Sequence, residues 1–387
     1  MVDNSLIRYI VGASRVKYEV LDEILLKHPD LDAVSTAKHY DMVVMFVDGY
    51  SLLYRLYLEK NLTALYADNR AELVRDLVVG FMNVLGHYRR YMSTRLHLMN
   101  DIICTFNMTR SDFQNTMVPG FDDRHYLKMD PQNPIFAFIN NALREAWDYI
   151  VGISMYFEGI YCVSAQGVDD VTTWMMLSNI SDDHLYLILS RNQLAMQLLA
   201  NQSGCKPTWF QIFPKRGKSY CVGKSDCISR GHLVDRKLIP HERLGPADLP
   251  YLWAFGGCGY VRLPTTAYVS GISGAVRVAN KFIETTGHIP SEYSFPRFCE
   301  AVQTFVKNGD TITANISNLR KRFAAVSVNL TLDALPSSKV HQAKRHMIDL
   351  FDQSGLEELN DSLIASCAGE TEPIIMELDN LNMGQAN

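Results

Sequence analysis

Leu185-Tyr186-Leu187-Ile188-Leu189 runs directly into Ser190-Arg191-Asn192-Gln193-Leu194-Ala195-Met196-Gln197-Leu198. The first five residues are continuously apolar and too few for a helix, which suits a strand buried on both faces. The polar residues from Ser190 to Gln193 mark its carboxyl end. A helical pattern resumes through Leu199. Strands buried on both faces belong to parallel sheets, and such sheets bind ligands beyond the carboxyl ends of their strands. The stretch therefore predicts both a layered fold and the place of a site.

The same pattern recurs on either side. Residues 42–47 form a short apolar run that ends at Asp48-Gly49, and the chain turns back through Tyr50-Ser51-Leu52-Leu53-Tyr54-Arg55. Residues 69–91 carry apolar positions 73, 77, 78, 81, 82 and 85 on one helical face, with Glu72 and Asp76 near the start, where the helix dipole favours acids. A second strand is predicted over 102–106, an irregular segment over 107–134, and a helix over 135–149. The apolar run 160–163 precedes Gly167-Val168-Asp169-Asp170, a helix over 171–180 and a strand over 184–189. Strands alternating with helices imply a parallel α/β domain, with Asp48, Asn107, Asp169 and Asn192 converging at the strand ends.

In its details the chain resembles the 5′ nuclease family: flap endonucleases, bacteriophage 5′-3′ exonucleases and the matching domain of bacterial DNA polymerase I. The phrase from Val47 to Arg55 resembles the family's opening strand and turn, in which the Asp is a metal ligand and the Arg lies close by. Asp169-Asp170 looks like the end of the family's Glu-Ala-Asp-Asp, with Gly167 in the place of the Glu. Ser190 to Leu198 is similar to Ser/Thr-x-Asp-x-Asp-x-x-Gln-Leu, but Asn192 and Leu194 replace both acids. Phe255-Gly256-Gly257-Cys258-Gly259-Tyr260-Val261 aligns with Gly-Asp-x-x-Asp-Asn, again without the acids, at Gly257 and Tyr260. Residues 279–287 resemble the second helix of a helix-three-turn-helix. Its Gly-rich turn would be Gly271-Ile272-Ser273-Gly274-Ala275, whose exposed amides would grip a duplex backbone whatever the base. A plain Gly-rich linker between helices is the alternative reading.

The resemblance implies a PIN-like α/β domain over 41–244, after an N-terminal helical extension over 1–40. A helical DNA-gripping region would follow over 245–360, then an acidic tail over 361–387. Two-metal phosphodiester hydrolysis needs several carboxylates to neutralise two divalent ions. The chain keeps Asp48, Asp169 and Asp170 as catalytic and metal-binding candidates, enough to hold one Mg²⁺ weakly, whereas Asn107, Gly167, Asn192, Leu194, Gly257 and Tyr260 replace the other acids. Capping of a helix is the structural alternative for Asp169 and Asp170. In place of the family arch's Tyr-Lys-x-x-Arg stands Pro119-Gly120-Phe121-Asp122-Asp123-Arg124, so Arg124 faces like-charge competition from its neighbours for any phosphate. The nucleic-acid-binding candidates are Arg55, Arg124, Lys215, Arg216, Lys218, Gly271, Gly274 and Lys281.

Charge is segregated along the 387 residues, although the net value is only −5. Residues 206–243 hold nine Lys/Arg against three acids, whereas residues 346–387 hold nine acids and no Lys or Arg. The basic stretch contains Trp209, Phe210, Phe213 and Tyr220, which reads either as a strip that tracks a backbone and stacks bases or as a solvated hairpin with core aromatics. Cys221, Cys227 and His232 lack the usual zinc spacing. Arg320-Lys321-Arg322 reads as an exposed helix face that could also touch DNA.

Eight Cys without a CxxC pair, no secretory signal and no apolar run long enough for a membrane span favour a reduced cytoplasm. The long extension and the divergence resemble a protein of a large bacteriophage, which makes the cytoplasm of an infected bacterial cell the expected setting. The expected role is a nucleic-acid-binding protein with a defective nuclease site, a subunit or accessory factor alongside other phage proteins in replication or transcription. The alternatives are an active Mg²⁺-dependent 5′-3′ exonuclease or flap endonuclease, and a structural subunit of a polymerase or virion complex.

Overall fold

Six strands build one sheet in the order β3-β2-β1-β4-β5-β6, parallel except for the last pair. The computed structural model describes residues 40–59, 69–96, 98–107, 134–154, 157–163, 169–178, 184–200, 208–213, 220–225, 227–230, 238–259 and 263–328. The expected N-terminal extension, the segment with Arg124 and the acidic tail lie outside them.

β1 (Met42–Asp48) leads into α1 (Gly49–Glu59), and α2 (Arg70–Tyr91) leads through a short π-helical segment to β2 (Met99–Thr105). α2 starts where its cap dictates: the Asn69 side chain accepts from the Glu72 amide at 3.2 Å and donates to the Glu72 carboxylate at 2.9 Å. Gly49 is required by a close approach, since a Cβ there would lie 2.6 Å from the Thr105 carbonyl oxygen. The Asp-Gly at the end of β1 thus lets α1 leave the sheet hard against the end of β2.

α3 (Pro134–Ser154) precedes β3 (Ile160–Val163), α4 (Asp170–Leu177) and β4 (His184–Leu189). The helix expected through Leu199 is a 3₁₀ segment, Gln193–Ala200. β5 (Thr208–Phe213) and β6 (Tyr220–Val222) form the antiparallel hairpin, and α5 (Cys227–Arg230) follows. Trp209 and Phe210 are fully buried, so these two aromatics of the basic stretch belong to the core and are not free to stack on bases. Lys215, Arg216 and Lys218 lie between β5 and β6, outside the described residues, as does His232.

Period-two alternation sends the strand side chains to opposite faces. Val43, Met45, Val47, Leu185 and Leu187 pack with α1, α2 and α3 on one face. Phe46, Tyr186 and Trp209 stack on the other, with Tyr186 and Trp209 rings 4.2 Å apart and Phe46 within 6.2 Å of Trp174. Four further helices continue this second face: α6 (Leu249–Gly256), α7 (Gly271–Thr286), α8 (Phe295–Ala301) and α9 (Ile312–Val326). Their buried residues form one continuous cluster with Val44, Phe46 and Ile188 of the sheet. Gln197 ties the two parts together: its amide donates to the Val326 carbonyl at 2.7 Å, and its oxygen accepts from the Val328 amide at 2.9 Å. Among the described residues no helix is long and apolar enough to cross a membrane.

Candidate functional site

Parallel register puts Asp48, at the end of β1, directly beside Thr105 of β2, and Ser190 follows the end of β4 on the other side. Asp48 is 2% exposed and all its company is hydrogen-bonding. The Ser51 amide donates to Oδ1 at 2.9 Å, the Ser51 hydroxyl to Oδ2 at 2.6 Å, and the Ser190 hydroxyl to the same Oδ2 at 2.8 Å. Burial raises the Asp48 pKa despite these bonds, because desolvation outweighs the help of three donors.

Asp170 opens α4 from the other side of the crevice. Its pKa stands well above the ordinary carboxylate value, chiefly through desolvation and then through the neighbouring charge of Asp48; a bond from the Thr105 side chain acts the other way. The Thr105 hydroxyl also accepts from the Trp174 indole at 3.0 Å, so one buried threonine joins the end of β2 to both ends of the first turn of α4. Asp169 behaves as a helix start: its carbonyl accepts from the Thr173 amide and hydroxyl, each at 3.0 Å. Asp48 and Asp170 are thus brought together, with Asp169 next to them in the chain.

The positions that lack the expected acids have other occupations. Asn192 caps the 3₁₀ segment: its side-chain oxygen accepts from the Leu194 amide at 2.9 Å, and its own amide donates to the Ser190 hydroxyl at 2.9 Å. Gln211 fixes the same bend by donating to the Ser190 and Asn192 carbonyls. Leu194 does not project into the crevice as a wall would; at 3% exposure it is part of the core. Gly257 closes α6 at φ +81°, ψ 163°, a conformation essentially confined to glycine, and a Cβ there would lie 2.6 Å from the Leu263 carbonyl oxygen. Tyr260 and Gly167 lie outside the described residues.

This donor set does not fit a pair of divalent ions. Among the described residues no group of three His, Cys, Asp or Glu is arranged to hold a metal ion. Asp48 Oδ2 accepts two hydroxyls and Oδ1 one amide, which leaves one acceptor site of the carboxylate, on Oδ1.

The proposed nucleic-acid residues are scattered more than the sequence suggests. Arg55 is 8% exposed and sits beside Tyr88 of α2, whose phenol it holds down against a larger rise from burial. Gly271 to Ala275 is not the turn between helices: these residues form the first turn of α7, after Ser270, and the chain enters it through Gly271 at φ +69°. Gly271 and Gly274 therefore belong to a helix N-terminus; the Gly274 amide already donates to the Ser270 carbonyl at 3.3 Å. α6 presses on this turn, since a Cβ on Gly256 would lie 2.6 Å from Ile272 Cα. Lys281 is exposed on α7, its ammonium 4.9 Å from the centre of the Phe305 ring. Arg322, read as part of an exposed run, is instead turned inward and buried, while Arg320 and Lys321 are exposed.

Ser51 and Thr105 were missed as members of the site. Only their positions next to Asp48 and at a strand end signalled them.

No protein-family model matches the sequence, and no curated protein matches it. Solved structures do. The bacteriophage T5 D15 protein co-crystallised with metal ions is similar over 80% of this chain and 99% of its own, at 14% identity and TM-score 0.50. A pseudo-enzyme variant of the T5 D15 flap endonuclease, in a product complex with DNA and metal ions, matches over the same shares, at 15% identity and TM-score 0.47. The catalytic core of Rad2 with DNA substrate covers 88% of this chain and 98% of its own, at 11% identity and TM-score 0.36. The fold is therefore the PIN-like α/β fold of the 5′ nucleases, with a mostly parallel sheet and a helical C-terminal part.

Proposed function

We propose that the chain is a nucleic-acid-binding protein built on a 5′ nuclease platform that does not cut, acting as a subunit or accessory factor in phage replication or transcription. The observation that carries this reading is the state of Asp48. Its carboxylate already accepts three hydrogen bonds from Ser51 and Ser190, while Asn192 and Leu194, where the family resemblance expects acids, serve as a helix cap and a core residue. The nuclease fold supports binding to a phosphate backbone, for which α7 offers the amides of its first turn and the exposed Lys281.

An active nuclease is the second reading, and the nearness of Asp48 to Asp170 favours it, because two carboxylates held together are the minimum for one hard cation. Binding and cleavage of a labelled 5′-flap DNA, with Mg²⁺ or Mn²⁺ against chelator and at two salt concentrations, separates the two. Salt-sensitive binding without cleavage is the expected result. Metal-dependent cleavage that Asp170→Ala abolishes in a folded protein would overturn the proposal. Absence of binding at low salt, with a partner co-purifying, would turn the groove into a protein interface.

A further inference from the structure

Among the described residues of the helical region Arg322 is the most heavily buried guanidinium, and no carboxylate among them answers it. Its Nε donates to the Ala254 carbonyl at 2.8 Å and its Nη2 to the Pro264 carbonyl. Nη1 has no hydrogen-bond partner among the described residues. Desolvation alone pulls its pKa down to about 10, with no opposing contribution from a nearby acid.

Arg322 forms part of the wall of a cavity of about 260 Å³ between the chain ahead of α7 and the face of α9. The rest of the lining is polar and neutral, with Thr266, Thr311, Asn308, Asn315 and Asn318 among it, and no Asp or Glu takes part; the Thr266 and Thr311 hydroxyls already donate to the Phe255 and Asn308 carbonyls. Asn315 is fixed, donating to the Tyr268 hydroxyl and the Thr311 carbonyl at 3.0 Å each. Asn318 is exposed and has no side-chain hydrogen bond among the described residues.

A buried cation costs several kcal/mol unless something answers its charge, and the carbonyl dipoles of Ala254 in α6 and Pro264 in the loop beyond it do so only in part. An incoming anion would complete the pairing. The planar fork of a guanidinium suits tetrahedral oxyanions, and the Asn308 and Asn318 amides, which make no side-chain hydrogen bond among the described residues, suit a remaining oxygen.

We propose that this cavity is a binding site for a phosphate-class oxyanion, seated on Arg322 with the side-chain amides of Asn308 and Asn318 beside it. The site stands apart from the crevice at Asp48 and does not rest on the reading of that crevice. The phosphate can come from a nucleic-acid backbone or from a free phosphate or phosphorylated small molecule.

The test titrates the full chain with inorganic phosphate at constant ionic strength set by chloride, read by calorimetry and by thermal shift. Arg322→Gln is expected to abolish binding, but Arg322 also clamps Ala254 and Pro264, so Asn318 variants carry the decision. Asn318→Asp, a near-isosteric change on an exposed position, should weaken phosphate at least tenfold, and Asn318→Lys should tighten it. No response beyond chloride, or equal affinity in wild type and Asn318→Asp, would overturn the proposal. A short DNA duplex that displaces phosphate in an Asn318-dependent way supports the site and names the backbone as its source. A duplex that leaves phosphate bound supports it with a free phosphate as the source. If the protein binds phosphate here but no DNA anywhere, the proposed function fails and this site stands.

Discussion

Gly257 offers the sharpest test of whether the missing acids can be put back. Where the family resemblance expects Asp, the chain has a glycine at φ +81°, ψ 163°, and an added Cβ would come within 2.6 Å of the Leu263 oxygen and 2.9 Å of Pro264 C and Thr265 N. All three neighbours are backbone, so none can rotate away. A non-glycine residue in that conformation costs about 1–3 kcal/mol. Overpacking against a fixed neighbour adds another ~1–3 kcal/mol. Gly257→Asp and Gly257→Ala should therefore each destabilise the protein by about 2–6 kcal/mol. For a folded unit of this size that lowers Tm by roughly 4–24 °C. Gly245→Ala is the control: Gly245 has φ −141° and no atom within 4 Å of its added Cβ, so its change should stay within about 0.5 kcal/mol. Differential scanning calorimetry of the three variants decides. A Gly257→Asp protein that melts within about 2 °C of wild type would show the turn to be adaptable and refute the reasoning.

The crevice makes further predictions. Because the folded Asp170 pKa is raised, the native state holds more protons than the unfolded one between the ordinary carboxylate range and that raised value, and stability falls as pH rises through this window. Asp170→Asn removes the penalty, so its Tm should exceed that of wild type at about pH 7 and converge with it near pH 4; parallel curves would count against the assignment. Thr105→Val leaves the Trp174 indole without its 3.0 Å acceptor and should cost about 1–3 kcal/mol in chemical denaturation, with altered tryptophan emission. Gln197→Ala cuts the bonds to Leu194, Val326 and Val328, with an expected loss of about 2–4 kcal/mol in urea unfolding. Mg²⁺ at millimolar concentration should leave the wild-type Tm unchanged at fixed ionic strength; a rise that Asp170→Asn abolishes would show an ion held at the carboxylate pair.

The sheet was legible because its signal is continuous. Runs such as 160–163 and 184–189 are apolar almost without interruption, and both strands have the predicted bounds. Helix ends were less legible, since they are set by partners distant in sequence. The segment after Ser190 became 3₁₀ because Asn192 caps it and Gln211, on another strand, clamps its first carbonyls. At the site, Asp48 and Asp170 were readable as a pair from the family resemblance. The three hydrogen bonds that Ser51 and Ser190 give Asp48 were not readable, because lone hydroxyls near an acid occur everywhere. Arg322 was misread for a similar reason: within Arg320-Lys321-Arg322 only helical rotation separates the inward side chain from its exposed neighbours, and α9's partners decide which way it turns.

The cluster shared by the sheet and the C-terminal helices has a kinetic consequence. A groove lined by two independent bodies could open by swinging them apart, at little cost to either. Here such a swing would have to expose Phe46, Trp174 and the helices' own interior together and break the Gln197 tether, so the barrier to it approaches that of global unfolding. The platform should melt in one transition and exchange its core amides as one unit, and whatever it grips must fit a groove that is already set.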